Sequence, residues 1–282
     1  MAPRKVSAVF SVYNGAATLA QMLDSLLAQS RPPDEILAVD DASSDETLPI
    51  LQRYARRHKT LRVLRNERNL GPASSLNRAI EAASGEYIMR TDADDLNLSD
   101  RLEQQMRAME ADPQLGLVSC FVDPLFDPSY PVDRRPLCQL SEQRRRKLAV
   151  HPQDAAQALT VANIFHHGEV LFKKQVWEQA GKYRPVFLCC SDYDLWLRMA
   201  DLTSFAIIPQ TLYIRRFHSG SLSARCLALQ RLGARLAREG YLRRAKGEND
   251  LPYIREEFVK YLLSHRLEQH FSYLNIPQGS CL

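Results

Sequence analysis

The N-terminal part of the chain alternates between short β-rich runs and segments with helical apolar spacing, and no hairpin signal separates them. Parallel strands need long crossover connections, usually helices, whereas hairpins join antiparallel strands. The alternation therefore predicts an α/β fold with a mostly parallel central sheet flanked by helices. The predicted strands are Val6–Val12, Glu35–Val39, Leu61–Leu64 and Glu86–Met89, and the predicted helices are Ala16–Gln29, one that Ser43 or Ser44 caps, and Gly71–Ser84.

The pattern is looser in the second half of the chain. Pro124–Pro136 is rich in Pro and Asp, which predicts an irregular loop and a candidate mobile element. Leucines at near-helical spacing beside many arginines predict two helices at the C-terminal end. The later predicted strands are Leu115–Ser119, Val170–Phe172 and Phe205–Ile208, and the two helices are Ser223–Lys246 and Leu251–Tyr273.

Composition indicates an ordinary globular protein, with 45% hydrophobic and 25% charged residues among 282. The net charge of +4 is too small to indicate nucleic-acid binding, although Arg144–Lys147 and Arg225–Lys246 hold much of the positive charge. The six cysteines lack CxxC and zinc-ligand spacing, which favours reduced thiols in a cytoplasmic protein. We see neither a signal peptide nor a run of about 20 apolar residues that could span a bilayer.

The predicted strand that ends at Met89 leads into a crowded acidic cluster, Asp92, Asp94 and Asp95. Carboxylates at this spacing repel one another unless a cation lies among them, and Mg²⁺ or Mn²⁺ prefers oxygen ligands. A second interpretation is equally open from this segment alone, because the acids could form the cap and first turn of the helix that follows Asp100.

The ends of three predicted strands favour the metal interpretation. Ser11 to Tyr13, Asp40–Asp41 and Asp92 to Asp94 all follow strands, and ligands of parallel α/β sheets bind beyond the carboxyl ends of the strands. The glycine-rich fingerprints GxGxxG and GxxxxGK[ST] are both missing, so a nucleotide in this crevice would be held largely through its metal ion.

An ordered series of segments resembles glycosyltransferase family 2. The resemblance extends over roughly residues 5 to 223 and implies a GT-A domain at 1–223, with a nucleotide-binding half to about 120, an acceptor half beyond it, and a helical extension at 224–282. It also implies inverting transfer from a nucleotide-sugar. The matching segments are Val6–Gly15, Ile36–Thr47, Asn69–Gly71, Asn77, Gly85–Ile88, Thr91–Asp95, His167–Phe172, Gly181–Tyr183, Ser191–Arg198 and Tyr213–Ser223.

The resemblance also implies roles for residues on the donor side. Asp94, with Asp92 near the ribose or the metal, would hold Mn²⁺ or Mg²⁺, and His218 matches a late family histidine that completes the metal or diphosphate site. Asp41 matches the group that hydrogen-bonds the donor base. Ser11 and Tyr13 would line the same pocket.

The catalytic base implied by the resemblance is Asp192, with Asp194 as its rival. An inverting enzyme needs such a base to take the proton of the acceptor hydroxyl. The chain departs from the family at Ser191, where Glu or Gln is usual, and Ser191 could instead cap a helix whose first turn carries both acids. His167 aligns with a family histidine near the acceptor.

The resemblance implies transfer of a single sugar, from a UDP-sugar, to a hydroxyl of a glycan or lipid-linked acceptor in bacterial lipopolysaccharide, exopolysaccharide or O-antigen synthesis. The processive QxxRW motif does not follow Asp192. The basic C-terminal helix could lie on an anionic membrane surface at the inner face of the cytoplasmic membrane, or pack on the catalytic domain. Two rival functions are a haloacid-dehalogenase-type phosphatase and an inactive GT-A scaffold.

Overall fold

The computed structural model describes residues 4–136, 139, 142–143, 155–221 and 226–265. Some of the sequence features and predictions lie partly or wholly outside these residues. They include the arginine run 144–147, the start of the helix predicted from Ser223, the end of the helix predicted to reach Tyr273, and parts of the predicted domains 1–223 and 224–282.

Strands and helices alternate through the first part of the chain as the sequence pattern predicts. The strands are β1 Val6–Val12, β2 Glu35–Asp40, β3 Leu61–Arg65, β4 Tyr87–Arg90, β5 Leu96–Asn97, β6 Leu115–Phe126, β7 Leu171–Lys173 and β8 Ser204–Phe217. The helices are α1 Ala16–Leu27, α2 Thr47–Arg57, α3 Gly71–Ala82, α4 Arg101–Ala111, α5 Ala155–Val161, α6 Lys174–Gln179, α7 Ser191–Met199, α8 Leu227–Ala245 and α9 Leu251–Ser264. Short 3₁₀ turns occur at Val132–Arg134 and His167–Glu169.

The described strands form one sheet in the order β3-β2-β1-β4-β7-β6-β8-β5. Strands β1 to β4 pair in parallel, as do β6 and β8, whereas β7 and β5 are antiparallel to their neighbours. The prediction of a mostly parallel sheet is therefore confirmed. Because β1, β2 and β4 run in the same direction, their carboxyl ends meet at one edge of the sheet.

Helices cover both faces of the sheet, because side chains of successive strand residues point to opposite sides. On β1, Ala8 and Phe10 pack with helices α1, α2 and α4. Val9 belongs instead to the cluster that holds α3 and α5 to α9. The C-terminal helices α8 and α9 are part of this second layer.

The segment Pro124–Pro136 is not an irregular loop throughout. Strand β6 continues to Phe126, with Pro124 paired in register with Arg215. Proline cannot donate to a ladder, but β6 pairs with β7 only at Leu117 and Val118, so the missing N–H at Pro124 falls beyond the second ladder.

Strand β8 is also longer than the predicted Phe205–Ile208, because a register shift in its ladder with β6 carries the strand past Pro209.

The caps predicted for α2 and α7 are wrong. Helix α2 begins at Thr47, and its first N–H is bonded by Asp45, at 3.0 Å, while Ser43 binds the backbone of Asn14. Helix α7 includes Ser191 as its first residue and makes no side-chain cap. In both cases the first residue of the helix is not the one that would follow a serine cap.

None of the helices in the described ranges combines the length and the apolar character that a bilayer crossing needs. Leu229, Leu232 and Leu236 of α8 are buried against the rest of the chain, whereas Leu227 and Leu242 are exposed. The arginines of α8 are partly paired: Arg243 bonds Glu248 and Arg244 bonds Asp250. These contacts agree with the packing alternative for α8.

Candidate active site

The carboxyl-terminal ends of β1 and β4 open into a cavity of about 820 Å³. The first turn of α7 and the first half of α8 contribute to its wall, as do the last residues of β8. Six of the predicted site residues line it, namely Ser11, Tyr13, Asp92, Asp94, Asp192 and His218. The structure thus brings Asp92 and Asp94, which follow a strand, together with the helical acid Asp192 about 100 residues later in the chain.

Tyr13 stands at the rim of the cavity, with 53% of its surface exposed. It follows β1 and precedes Asn14, whose φ of 51° lies in the left-handed region. The side chain of Asn14 accepts a hydrogen bond from the N–H of Ser44 at 2.9 Å, and its own N–H donates to Ser43 at 2.9 Å. This turn ties the ends of β1 and β2 together and leaves the aromatic ring free to contact a ligand.

Asp41 is absent from the described lining of the cavity. Its buried carboxylate accepts hydrogen bonds from Asn66 at 2.7 Å, from the N–H of Leu70 at 2.8 Å and from the N–H of Gly71 at 2.9 Å. In this state Asp41 holds the loop before α3. Its assignment to the donor base stays a prediction.

Asp92 is paired with a buried cation from the strand that precedes it. Nη2 of Arg90 lies 2.5 Å from Oδ1 of Asp92, and only 2% of Arg90 is exposed. The N–H of Asp92 donates to the hydroxyl of Tyr213 at 3.0 Å. Although burial opposes ionisation, Arg90 lowers the pKa of Asp92 below its usual value.

Asp94 contacts His218, a second predicted metal ligand. Nε2 of His218 lies 2.9 Å from Oδ2 of Asp94, and this hydrogen bond is the main cause of a raised imidazole pKa. Arg216 braces the same loop, since its Nε donates to the carbonyl of Asp94 at 2.9 Å and its N–H donates to the carboxylate of Asp95 at 2.8 Å. Asp94 and His218 are partly exposed and adjacent.

The fit of this pair to a divalent ion is partial. A carboxylate oxygen and an imidazole nitrogen suit Mn²⁺, and both face the cavity. Within the described residues, however, no group of three or more His, Cys, Asp and Glu side chains is arranged to hold a metal ion. Asp92, the third predicted ligand, is occupied by Arg90. Asp94 and His218 could supply two ligands, and others would have to come from the substrate or water.

The acidic cluster is not the first turn of a helix. Strand β5 separates Asp95 from α4, which begins at Arg101 without a side-chain cap. Burial and the charges of Asp94 and Asp92 raise the pKa of Asp95 well above its usual value. The helix-cap interpretation of the cluster is therefore wrong.

Asp192 lies in the first turn of α7 and is half-buried at the cavity wall. Its Oδ2 accepts a hydrogen bond from Nδ2 of Asn163 at 3.0 Å. Burial raises the pKa of Asp192 and the charge of Asp92 adds to the rise, while hydrogen bonds from Asn163 and from the N–H of Tyr193 oppose it. A carboxylate with a raised pKa is suited to accept a proton.

Asp194 has a different environment, although it is only two residues away. Its side chain is fully buried, outside the described lining of the cavity. Oδ2 lies 2.6 Å from Nη2 of Arg198, and Oδ1 lies 3.5 Å from Nη1 of Arg184. Arg198 also donates to the carbonyls of Ala180 and Lys182. Asp194 is therefore part of a buried ion-pair network under the cavity.

His167 lines the cavity and is held by Tyr183, whose hydroxyl lies 2.9 Å from Nε2 of the imidazole. Burial, together with the positive charge of Arg90, lowers the pKa of His167 to about 3. The imidazole is therefore neutral at physiological pH.

Sequence reasoning missed two residues that contact the predicted acids, Arg90 and Asn163. Arg90 could have been predicted to pair with a nearby acid, because a cation inside a buried strand needs a partner. Asn163 left none, because it lies 29 positions from Asp192 in the chain.

Comparison with known proteins decides the family. A model described as Glycosyl transferase family 2 matches residues 7–170, more than half of the chain. The chain belongs to this family. The matched range contains β1 to β4 and the acidic cluster, and it ends before α7. The family prediction is confirmed, and the protein is a glycosyltransferase. The phosphatase interpretation is excluded.

Two relatives of this chain are named as glycosyltransferases, and the name of one assigns it to amylovoran biosynthesis. The amylovoran biosynthesis glycosyltransferase AmsE of Erwinia amylovora is 29% identical over 248 residues, which cover 84% of this chain and 88% of AmsE. EpsE of Bacillus subtilis, whose name assigns it to the glycosyltransferases, is 32% identical over 197 residues, covering 69% of this chain and 66% of EpsE. The chain thus spans about two thirds of EpsE.

Solved structures share the fold. S. aureus TarS 1–349 in complex with UDP-GlcNAc has a TM-score of 0.62 at 17% identity, over 97% of this chain and 76% of TarS 1–349. The mannosyltransferase PcManGT of Pyrobaculum calidifontis, in complex with GDP-Man and Mn²⁺, has a TM-score of 0.62 at 22% identity, over 96% and 72% of the two chains. The GT-A fold predicted from the sequence is confirmed.

Proposed function

We propose that this glycosyltransferase moves a single sugar from a UDP-sugar to a hydroxyl of a glycan or lipid-linked acceptor, with inversion at the anomeric carbon. The observation that carries the proposal is the shared cavity, in which the strand-end acids Asp92 and Asp94 lie with the helical acid Asp192. One wall would bind the donor and the other would activate the acceptor. The names of TarS and AmsE support a sugar-nucleotide donor and a polysaccharide product.

Asp192 is the proposed catalytic base. Its carboxylate takes the proton of the acceptor hydroxyl while the hydroxyl oxygen bonds to the anomeric carbon and the bond from that carbon to the diphosphate oxygen breaks. The electron pair of the broken bond leaves with the nucleoside diphosphate. Asp194 is set aside as the base because its carboxylate is fully buried and both of its oxygens face guanidinium groups, those of Arg184 and Arg198.

The donor is proposed to bind along the edge formed by β1 and β4. Tyr13 would contact the base or ribose, and Ser11 would line the same wall. Arg216 can offer positive charge to the diphosphate because it lines the cavity beside Asp94. Arg90 keeps Asp92 ionised and oriented, so that Asp92 can accept a hydrogen bond from a ribose hydroxyl.

Asp94 and His218 are the residues that would hold Mn²⁺ or Mg²⁺. The ion would act as a Lewis acid that stabilises negative charge on the leaving diphosphate. PcManGT, whose complex contains Mn²⁺, supports this part of the proposal by likeness of fold.

The site of action is proposed to be the cytoplasmic side of a bacterial membrane, in lipopolysaccharide, exopolysaccharide or O-antigen synthesis. The name of AmsE supports polysaccharide synthesis. Direct contact of α8 with anionic lipid stays a prediction, since its leucines Leu229, Leu232 and Leu236 pack inward.

The test compares two variants in donor binding and donor turnover. We expect purified protein with Mn²⁺ to release UDP slowly from one UDP-sugar in a panel of UDP-glucose, UDP-galactose, UDP-GlcNAc and GDP-mannose. Asp94→Ala should lose the Mn²⁺-dependent part of donor affinity in calorimetric titration. Asp192→Asn should keep donor affinity and lose turnover.

Asp112→Asn is the matched control, because Asp112 is an exposed acid that follows α4 and lies outside the described lining of the cavity. It should match the wild type in both assays. Equal Mn²⁺-dependent affinity in Asp94→Ala would contradict the metal role, and release of sugar from GDP-mannose alone would contradict the choice of UDP. A protein that binds donors and turns none over, with any acceptor, would be the inactive scaffold.

A further inference from the structure

We propose that Asn163 is a positioning residue that holds the Asp192 carboxylate in the orientation needed to accept a proton; this rests on the proposed role of Asp192. Asn163 lies between α5 and the 3₁₀ turn at His167–Glu169, and its side chain faces the cavity beside Asp192.

Two hydrogen bonds fix the side-chain amide of Asn163. Nδ2 donates to Oδ2 of Asp192 at 3.0 Å, and Oδ1 accepts the backbone N–H of Phe165 at 3.2 Å. The second bond decides the direction of the first, because an amide turned around would place its oxygen against a carboxylate and its NH₂ against an N–H. The donor end of Asn163 must therefore face Asp192.

The bond to Asn163 has two consequences for a base. It restricts rotation of the carboxylate, which can then meet an incoming hydroxyl in one orientation. It also favours the ionised form, because a donated hydrogen bond to a charged acceptor is stronger than one to a neutral acid. Burial and Asp92 act in the opposite direction on the pKa of Asp192, so Asn163, together with the N–H of Tyr193, limits the rise.

Other groups near Asp192 supply no comparable side-chain bond in the described part of the chain. Asp92, Tyr183 and the thiol of Cys190 interact with it through charge, and Asp92 raises its pKa. On α8, Arg238 is directed to the hydroxyl of Tyr193. On α7 itself, Asp194 is neutralised by Arg198.

One test variant is Asn163→Asp, which keeps the oxygen that accepts the N–H of Phe165 and replaces the donor to Asp192 with a carboxylate oxygen that also repels it. We expect the pKa of Asp192, measured by ¹³C NMR of the carboxyl carbons and assigned with Asp192→Asn, to rise by one unit or more. UDP release from the best UDP-sugar of the panel should fall about 100-fold in kcat, as a misplaced group can cause. The KM for the donor should stay unchanged.

Asn249→Asp is the matched control. Oδ1 of Asn249 accepts the N–H of Leu251 at 3.2 Å, the same local bond at the same length, in an exposed turn before α9. This variant should leave kcat and the pKa of Asp192 unchanged. Thermal unfolding is recorded for every variant. Asn163→Ala removes the donor without adding a charge and should also raise the pKa of Asp192 and lower kcat. A rise in Asn163→Asp but not in Asn163→Ala would reflect charge repulsion and would overturn the positioning role.

The outcomes separate the two proposals. An unchanged pKa of Asp192 in the folded Asn163 variant, or a wild-type kcat, would overturn the positioning role. If Asp192→Asn keeps full turnover, the assignment of the base is wrong, whatever Asn163 does. A loss of kcat in Asn163→Asp without any pKa change would mean that Asn163 serves only the shape of the loop, which also overturns the inference.

Discussion

Asp192 and Asp194 both lie in the first turn of α7, but replacing each by the isosteric asparagine should have opposite effects on stability and turnover. Asp194→Asn removes the negative charge between Arg198 and Arg184 and leaves Arg198, of which 5% is exposed, without its counterion. At 2.6 Å and an effective dielectric constant near 20, the lost attraction is about 6 kcal/mol before desolvation is counted. Breaking such buried pairs costs about 3–5 kcal/mol in measured cases.

We expect Asp194→Asn to lie at the lower end of that range, because Arg198 keeps its bonds to the carbonyls of Ala180 and Lys182. A loss of about 3 kcal/mol corresponds to a fall in Tm of about 6–12 °C for a chain of this size. Asp192→Asn should not lower Tm. Folding raises the pKa of Asp192, so at neutral pH the ionised carboxylate lowers the free energy of unfolding. Removing its charge therefore costs no stability.

Circular dichroism at 222 nm and UDP release on the same samples test both statements. The expected result is a less stable protein with residual turnover for Asp194→Asn, and a stable protein without turnover for Asp192→Asn. Wild-type stability with no turnover for Asp194→Asn would refute the assignment, since it would make the buried acid the catalytic one. Equal destabilisation by both changes would refute the contrast between the two environments.

Three further results are expected. Because the base must be ionised, kcat should fall as pH drops through the raised pKa of Asp192, so the acid limb of the pH–rate profile should lie above the ordinary aspartate pKa of about 3.9. Gly168→Ala should reduce both Tm and turnover, because a Cβ there would collide with the hydroxyl of Tyr213; differential scanning fluorimetry and UDP release measure this, and an unchanged protein would contradict the packing. Removing divalent ions with EDTA should leave Tm unchanged in the absence of nucleotide and weaken donor binding through Asp94 and His218, and a large fall in Tm would indicate a structural metal.

The local sequence pattern was sufficient to predict the strands and helices that form the layers of this fold. It failed where pairing between strands distant in the chain determines how far a strand extends. The apolar run at Val6–Val12 predicts β1 because burial on both faces of a parallel sheet is visible in the sequence itself. The continuation of β6 through Pro124 depends on its ladder with β8, about 90 residues later. Asp123 and Pro124 lie within this extension, and these two residue types are the ones that suggested a loop.

The candidate site shows the same division. Asp92 and Asp94 could be identified as candidates because they follow a predicted strand, and ligands of parallel sheets bind at the edge where the carboxyl ends of the strands lie. Helical spacing could not distinguish Asp192 from Asp194, since two positions within one turn differ in direction by about 200°, and which direction faces the cavity depends on the packing of α7. The choice became visible only when Arg184 and Arg198 were located.

The acidic cluster also shows how the chain tolerates crowded carboxylates without depending on a bound ion. Each acid has a different partner: Arg90 neutralises Asp92, His218 bonds Asp94, and Asp95 accepts an N–H from Arg216 and resists ionisation. The protein therefore supplies a partner for each carboxylate of the cluster. Since these partners come from β4, β8 and the residue that follows β8, the cluster should be formed before any donor arrives. A divalent ion held by Asp94 and His218 would then stabilise the bound diphosphate more than the fold, which is why EDTA should affect donor affinity and spare Tm.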